Sequence, residues 1–154
     1  FPLTRLRPDQ VIGSVMQASS LRTINADAHI FKRAISFFGQ QDFMKRFGDF
    51  GEDEFGEHAG TIPQRLLMLN GKVVHERTKA NPLLNASSRI SVLVPDDKEA
   101  VLTAYMCLLT RPPTGPESEH FVAKLAGHKG DGRSREMADL FWTLMNSTEF
   151  SWNH

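Results

Sequence analysis

Hydrophobic residues in this chain recur mostly at helical spacing, and the clearest case is the stretch VLTAYMCLLTRPPTGPESEHF. Its apolar side chains follow one another at the intervals of an amphipathic helix: Leu102, Tyr105, Met106, Leu108 and Leu109. Pro112 and Pro113 prevent that helix from continuing. Thr114, followed three residues later by Glu117, forms a capping box that starts a second helix. The pattern therefore predicts a helix, a reversal near residues 110–116 and another helix.

Similar stripes predict further helices along the chain. One begins at about Pro8, a second follows Asn25, and a third begins at Thr61 in the stretch TIPQRLLMLNG. Asp96 with Glu99 makes another cap ahead of the helix described above. The most regular stripe occurs near the C-terminal end: Met137, Leu140, Phe141, Leu144 and Met145. The preceding segment, GHKGDGRSRE, is rich in glycine and predicts a flexible, mostly basic connector.

Together these stripes predict an all-α fold, an irregular bundle of about six or seven helices without a parallel sheet. A single helical domain is expected over residues 1–154. Residues 83–94 suit a helix or a strand, and helix is preferred because a strand there has no evident partner. Asn70 and Gly71 both tolerate positive φ, so they predict a sharp bend after the third helix.

The C-terminal tail, TEFSWNH, is unusually apolar for a chain end. Phe150 and Trp152 each carry enough apolar surface to favour burial. We therefore predict that the tail folds back onto the bundle, with Trp152 against the apolar side of one of the last three helices. The alternative is that both aromatic residues belong to an interface with another domain.

Composition and charge narrow the functional classes. Lysine plus arginine and aspartate plus glutamate both number 18, so zero net charge makes nucleic acid an unfavoured partner. No apolar run approaches the roughly 20 residues that span a bilayer. The chain begins without Met, which indicates a piece of a longer protein. Cys107, the lone cysteine, cannot form an internal disulfide and is predicted to be a small core residue.

The search for catalytic chemistry is mostly negative. None of the six histidines forms a pair at i and i+4 or an HExxH motif, and neither a GxSxG nor a phosphate loop is present. His75 beside Glu76 is the pair of most interest. Adjacent helical residues point about 100 degrees apart, however, which favours an ordinary surface pair. The sequence thus identifies no catalytic, cofactor-binding or metal-binding residue, and it leaves open whether the protein is an enzyme.

Residues 48–60, GDFGEDEFGEHAG, form an acidic and glycine-rich segment that predicts an irregular loop. Calcium binding is one interpretation, but Gly51 occupies a position where an oxygen ligand is required. A solvated loop pinned by Phe50 and Phe55 is therefore favoured. The role of His58 within this loop stays open.

Three separated motifs, TIPQRLLMLNG, LLTRPPTGPE and DLFWTLMNSTEFSWNH, occur in an order and at intervals that resemble a known family. That family is the planctomycete domain of unknown function fifteen-fifty-three, the C-terminal domain of large exported proteins. The resemblance covers about residues 43–154. Many members carry a cysteine and an arginine-rich stretch ahead of the TxxQ segment, where this chain has the acidic loop and no cysteine.

The resemblance implies an exported or cell-envelope location and a parent protein with a second uncharacterised domain. Cytochrome-c-like or carbohydrate-binding-like modules often accompany it, and no catalytic residues are established for the family. Two functions follow as hypotheses. The first is a structural or interaction module whose partners are the upstream domains of the same parent, and an apolar surface patch favours it. The second is part of an envelope enzyme, redox or polysaccharide-related, completed by upstream domains. A polar pocket that contains His58, His75 or the acidic loop favours the second hypothesis. The oligomeric state is not predicted.

Overall fold

The computed structural model describes the amino-terminal strand and helix, a few helical positions in the middle of the chain and nearly all of the C-terminal half: residues 4–6, 8–19, 66, 68–70, 74 and 85–153. Several positions singled out in the sequence lie outside these described residues: the loop at 48–60 with His58, the bend at Gly71, and the pair His75 and Glu76. The predictions made for them stay predictions.

The described part of the chain is a helical bundle, which confirms the all-α class. Its helices are α1 (Pro8–Ser19), α2 (Ala86–Leu93), α3 (Asp97–Leu109), α4 (Gly115–Leu125) and α5 (Gly130–Met145). A 3-10 turn, Glu149–Ser151, follows α5. The helical interpretation of the ambiguous stretch 83–94 is confirmed for residues 86–93, which form α2, while residues 83 and 84 lie outside the described residues.

One small antiparallel pairing joins the two ends of the described chain. Strand β1 (Thr4–Arg5) pairs with strand β2 (Trp152–Asn153), with Thr4 opposite Asn153 and Arg5 opposite Trp152. The main-chain N–H of Leu6 extends the pairing by donating to the carbonyl of Ser151 at 3.1 Å. No alternating pattern in the sequence predicted this ribbon.

The reversal between α3 and α4 is built as the local sequence predicts. The Asp96 carboxylate accepts a hydrogen bond from the Glu99 N–H at 2.8 Å and so caps the start of α3. At the start of α4, the Glu117 carboxylate accepts from the N–H and the hydroxyl of Thr114, at 2.7 and 2.8 Å. Thr110, which follows α3, has a φ of 56°, a left-handed conformation that a β-branched residue rarely adopts.

The start of α5 differs from the prediction. Residues 127–136 were expected to form a flexible connector, but α5 already begins at Gly130. Gly127, at φ 79°, ends α4 as its sequence suggests. The early start of α5 has a physical reason in Arg133, which is buried and makes an ion pair with α3, so tertiary contacts override the low helix propensity of glycine.

The core of the described region lies between all five helices. Its fully buried large side chains include Val11, Ile12, Val15, Tyr105, Leu125, Met137, Leu140, Phe141 and Met145. Helices α2 and α5 make the most extensive helix pair. Small side chains allow their close approach, since the hydroxyl oxygens of Ser91 and Ser134 are only 2.8 Å apart across the interface.

Helix α3 buries only part of the stripe that its sequence suggested. The core-facing stripe is Val101, Ala104, Tyr105 and Leu108. Leu102 and Met106 lie about 100 degrees away from the Val101 and Tyr105 positions, and they are 42% and 48% exposed. The stripe predicted from the sequence is thus buried at Tyr105, Leu108 and Leu109 and exposed at these two positions. The prediction that Cys107 is a core residue is wrong, since it lies on the exposed side of α3.

The C-terminal tail packs onto the bundle. Phe150 is 6% exposed and belongs to the same hydrophobic core as α1, α3 and α5. This confirms that the tail folds back. Trp152 is placed by its backbone in β2, while the contacts predicted for its indole lie outside the described side chains.

Candidate functional site

A cluster of charged side chains surrounds Arg111 at the α3–α4 reversal. The guanidinium donates from Nε and Nη2 to Glu149 at 2.6 and 2.7 Å. It donates from Nη1 and Nη2 to Glu117 at 2.9 and 3.0 Å. Nη1 also donates to the carbonyl of Pro112 at 3.0 Å. A guanidinium has five N–H donors, so these five hydrogen bonds use its whole capacity.

The elements around the reversal hold Arg111 in place. Its guanidinium lies 5.4 Å from the centre of the Tyr105 ring, within the range of a cation–π contact. The Tyr105 ring in turn meets the ring of Phe121 on α4 edge to face, with 6.2 Å between centroids. The cluster therefore joins α3, α4 and the C-terminal 3-10 turn around one cation.

Electrostatics keep this cluster charged. The hydrogen bonds from Arg111, opposed by partial burial, lower the pKa of Glu117 to about 2. The same carboxylates, Glu149 first, raise the pKa of Arg111 further above its ordinary value. Burial, together with the charge of Glu117, raises the pKa of Tyr105 to about 12. None of these three groups changes its protonation near neutral pH, so the cluster is suited to holding structure and poorly suited to proton transfer.

A second ion pair fastens α5 to the turn between α2 and α3. Arg133 donates from Nη1 to Asp97 at 2.7 Å and from Nη2 to the carbonyl of Val94 at 2.9 Å. A longer hydrogen bond from Nη1 reaches the carbonyl of Pro95 at 3.3 Å. These carbonyls follow the end of α2, so Arg133 satisfies acceptors that the helix itself leaves unpaired.

The three sequence motifs meet in the fold. The Trp142 indole N–H, in the last motif, donates to the carbonyl of Leu69, in the first motif, at 3.4 Å. Arg111 in the middle motif binds Glu149 in the last motif. Sequence reasoning missed the Arg111 and Glu149 pair because the two residues are 38 positions apart and nothing in either motif indicates which residues of the other it contacts.

Among the residues that the structure describes, no group of three or more histidine, cysteine, aspartate and glutamate side chains is placed to hold a metal ion. Cys107 lies on the exposed side of α3. Its thiol is nevertheless partly shielded from water by the surrounding protein, and this desolvation raises the pKa of the thiol. A raised pKa leaves little thiolate at neutral pH, which makes Cys107 a weak nucleophile.

Four large aliphatic side chains on α2 and α3 are exposed: Val92, Leu93, Leu102 and Met106. We call this set the α2–α3 apolar surface. Leu102 and Met106 stand one helical turn apart on the same side of α3. Val92 and Leu93, at the end of α2, are 66% and 64% exposed. Single exposed aliphatic side chains are ordinary on a protein surface, whereas side chains that lie together mark a contact surface, so the pair on α3 is the part of this set that suggests one.

None of the described helices combines the length and the apolar character that crossing a membrane requires. Comparison with known proteins found no match, whether with a protein-family model, a curated protein or a solved structure.

Proposed function

We propose that this chain is a structural or interaction module of an exported multidomain protein and that it docks against upstream domains of the same protein. The observation that supports the proposal is the α2–α3 apolar surface, because Leu102 and Met106 are placed outside the core of the domain. The charged cluster supports it as well. All five donors of the Arg111 guanidinium bind acceptors of this chain, so the cluster is suited to holding structure.

The size of the surface favours a tethered partner. Four aliphatic side chains at these exposures present on the order of 400 Å². Stable complexes between separate proteins bury about 800 Å² on each partner. A partner in the same chain needs less area, because the linker gives it a high effective concentration. An upstream domain is therefore a better occupant than a free protein, and the exported location follows from the family resemblance.

The experiment uses a thiol placed in the surface itself, by Met106→Cys in a chain whose lone cysteine is removed by Cys107→Ser. Its reaction with a thiol reagent at mildly alkaline pH is compared between this chain alone and the longer parent chain. We expect the reaction to be about tenfold slower in the parent, since a docked thiol reacts only from the undocked fraction of molecules. Equal rates in the two chains contradict docking at this surface.

Substitutions make the test specific. Val92→Ser together with Leu102→Ser, added to the same chain, should restore the fast reaction in the parent. Both side chains are exposed, so the stability of the isolated domain should change by only about 0.5 kcal/mol for each. Lys124→Ser, at an exposed position of α4, is the matched control and should leave the slow reaction unchanged. Slowing of the isolated chain with rising concentration would instead identify a second copy as the occupant.

A further inference from the structure

We propose that Arg111 and Glu149 form a latch that holds the two ends of the described chain together and that opens separately from the helical bundle. The proposal does not rest on docking at the α2–α3 apolar surface. It follows from the way in which the ribbon of β1 and β2 is anchored to the rest of the fold.

The ribbon is too short to be stable alone. Each strand has two residues, and even an ordinary two-stranded hairpin is at best marginally stable in water. Strand β1 is held by its pairing with β2 and by the hydrogen bond from Leu6 to Ser151. Leu6 adds a partly buried side chain against the core. Apart from the Leu6 contact, the ribbon therefore depends on the residues that hold β2 in place.

The 3-10 turn directly before β2 supplies that anchor. Glu149 accepts two charge-assisted hydrogen bonds from Arg111, at 2.6 and 2.7 Å, and its side chain is 26% exposed. Phe150 beside it lies in the core, and its N–H donates to the hydroxyl of Ser147 at 3.2 Å. The turn packs against α3 and α5. Its position is thus set by the ion pair, by the aromatic side chain and by hydrogen bonds to Ser147 and Thr148.

The aromatic side chain and the ion pair differ in their connection to the bundle. Phe150 shares the core with the helices, whereas the pair of Glu149 with Arg111 connects the turn to the reversal. Loss of the Glu149 pair should loosen the turn and the ribbon while the helices keep their packing. Such a segment behaves as a separate cooperative unit that opens at a lower free energy than the whole domain.

Amide hydrogen exchange of the intact chain tests the latch. The Leu6 N–H reports on the ribbon, because its partner is the carbonyl of Ser151. An amide in the middle of α5, that of Phe141, reports on the bundle. In Glu149→Gln we expect exchange at Leu6 to accelerate at least about tenfold more than exchange at Phe141, as the loss of a charge-assisted hydrogen bond implies.

Glu117→Gln is the matched control, since it makes the same chemical change at the other carboxylate on Arg111. It should not accelerate Leu6 more than Phe141. Arg111→Lys keeps the positive charge but loses the paired donors of the guanidinium, so it should reproduce the selective acceleration. Equal acceleration at Leu6 and Phe141 in Glu149→Gln would mean that the pair only adds to global stability, and this result overturns the latch. The latch is also overturned if Glu117→Gln accelerates exchange at Leu6 as much as Glu149→Gln does.

Discussion

Phe150→Ala is the perturbation that measures how firmly the C-terminal tail belongs to the domain. A phenylalanine side chain that is 6% exposed has removed almost all of its apolar surface from water. Burial of roughly 150–250 Å² at about 25 cal/mol per Å² gives an upper estimate of roughly 4–6 kcal/mol. Measured Phe→Ala changes in protein cores range over about 3–5 kcal/mol. Because the site lies near a chain end, where the structure can relax, we expect a loss of about 3 kcal/mol.

Urea unfolding followed by far-ultraviolet circular dichroism measures this loss. The dependence of the unfolding free energy on urea concentration should stay the same in the variant. Lys124→Ala, at an exposed position, is the control and should change the free energy of unfolding by no more than about 0.5 kcal/mol. Deletion of residues 148–154 should cost at least about 2 kcal/mol. A loss below about 1 kcal/mol for Phe150→Ala would refute the reasoning, because the tail would then contribute little to the core and would be better explained as part of an interface.

Two further predictions concern the reversal. Thr110→Gly should stabilise the domain by about 1 kcal/mol, because glycine adopts positive φ without the cost that a β-branched residue meets there. Urea unfolding measures the change. A destabilised variant would show that the hydrogen bond from the Thr110 hydroxyl to the carbonyl of Leu109 contributes more than the backbone strain costs. The pKa of Glu117 is lowered to about 2, so its contribution to stability is present above its ordinary pKa and is lost as the pH falls from about 4.5 towards 2. Unfolding midpoints measured across that range should fall more steeply in the unmodified chain than in Glu117→Gln, and parallel curves would contradict the lowered pKa.

The elements that the sequence predicted well are those set by neighbours in the chain. The α3–α4 reversal follows from Pro112 and Pro113, which no helix accommodates in its interior, and from the cap that Glu117 provides for Thr114. These effects act within one turn of helix. They depend little on what packs around them, so local sequence is sufficient evidence.

The buried face of α3 shows where local evidence ends. Its sequence is apolar around most of the helix, since Val101, Leu102 and Tyr105 all carry large side chains. Which of them face the core is decided by the positions of the other helices, which the periodicity of α3 does not contain. The exposed thiol of Cys107 has the same origin, because a small apolar residue fits either side of such a helix.

The candidate site was beyond sequence reasoning for a related reason. Arg111 and Glu149 are 38 residues apart, and the ribbon of β1 and β2 pairs residues near opposite ends of the chain. Strands of two residues are too short to show an alternating pattern. Contacts of this kind depend on the completed topology.

The saturated guanidinium at the α3–α4 reversal has a consequence for sequence variation. Because Arg111 divides its donors between Glu117 and Glu149, the three positions form one unit in which the loss of any member leaves partly buried charge or unused donors behind. Substitution at one position should therefore be tolerated best when the others change with it. An alignment of related chains is expected to show positions 111, 117 and 149 covarying, with an apolar residue at 111 accompanied by the loss of acidic residues at the other two.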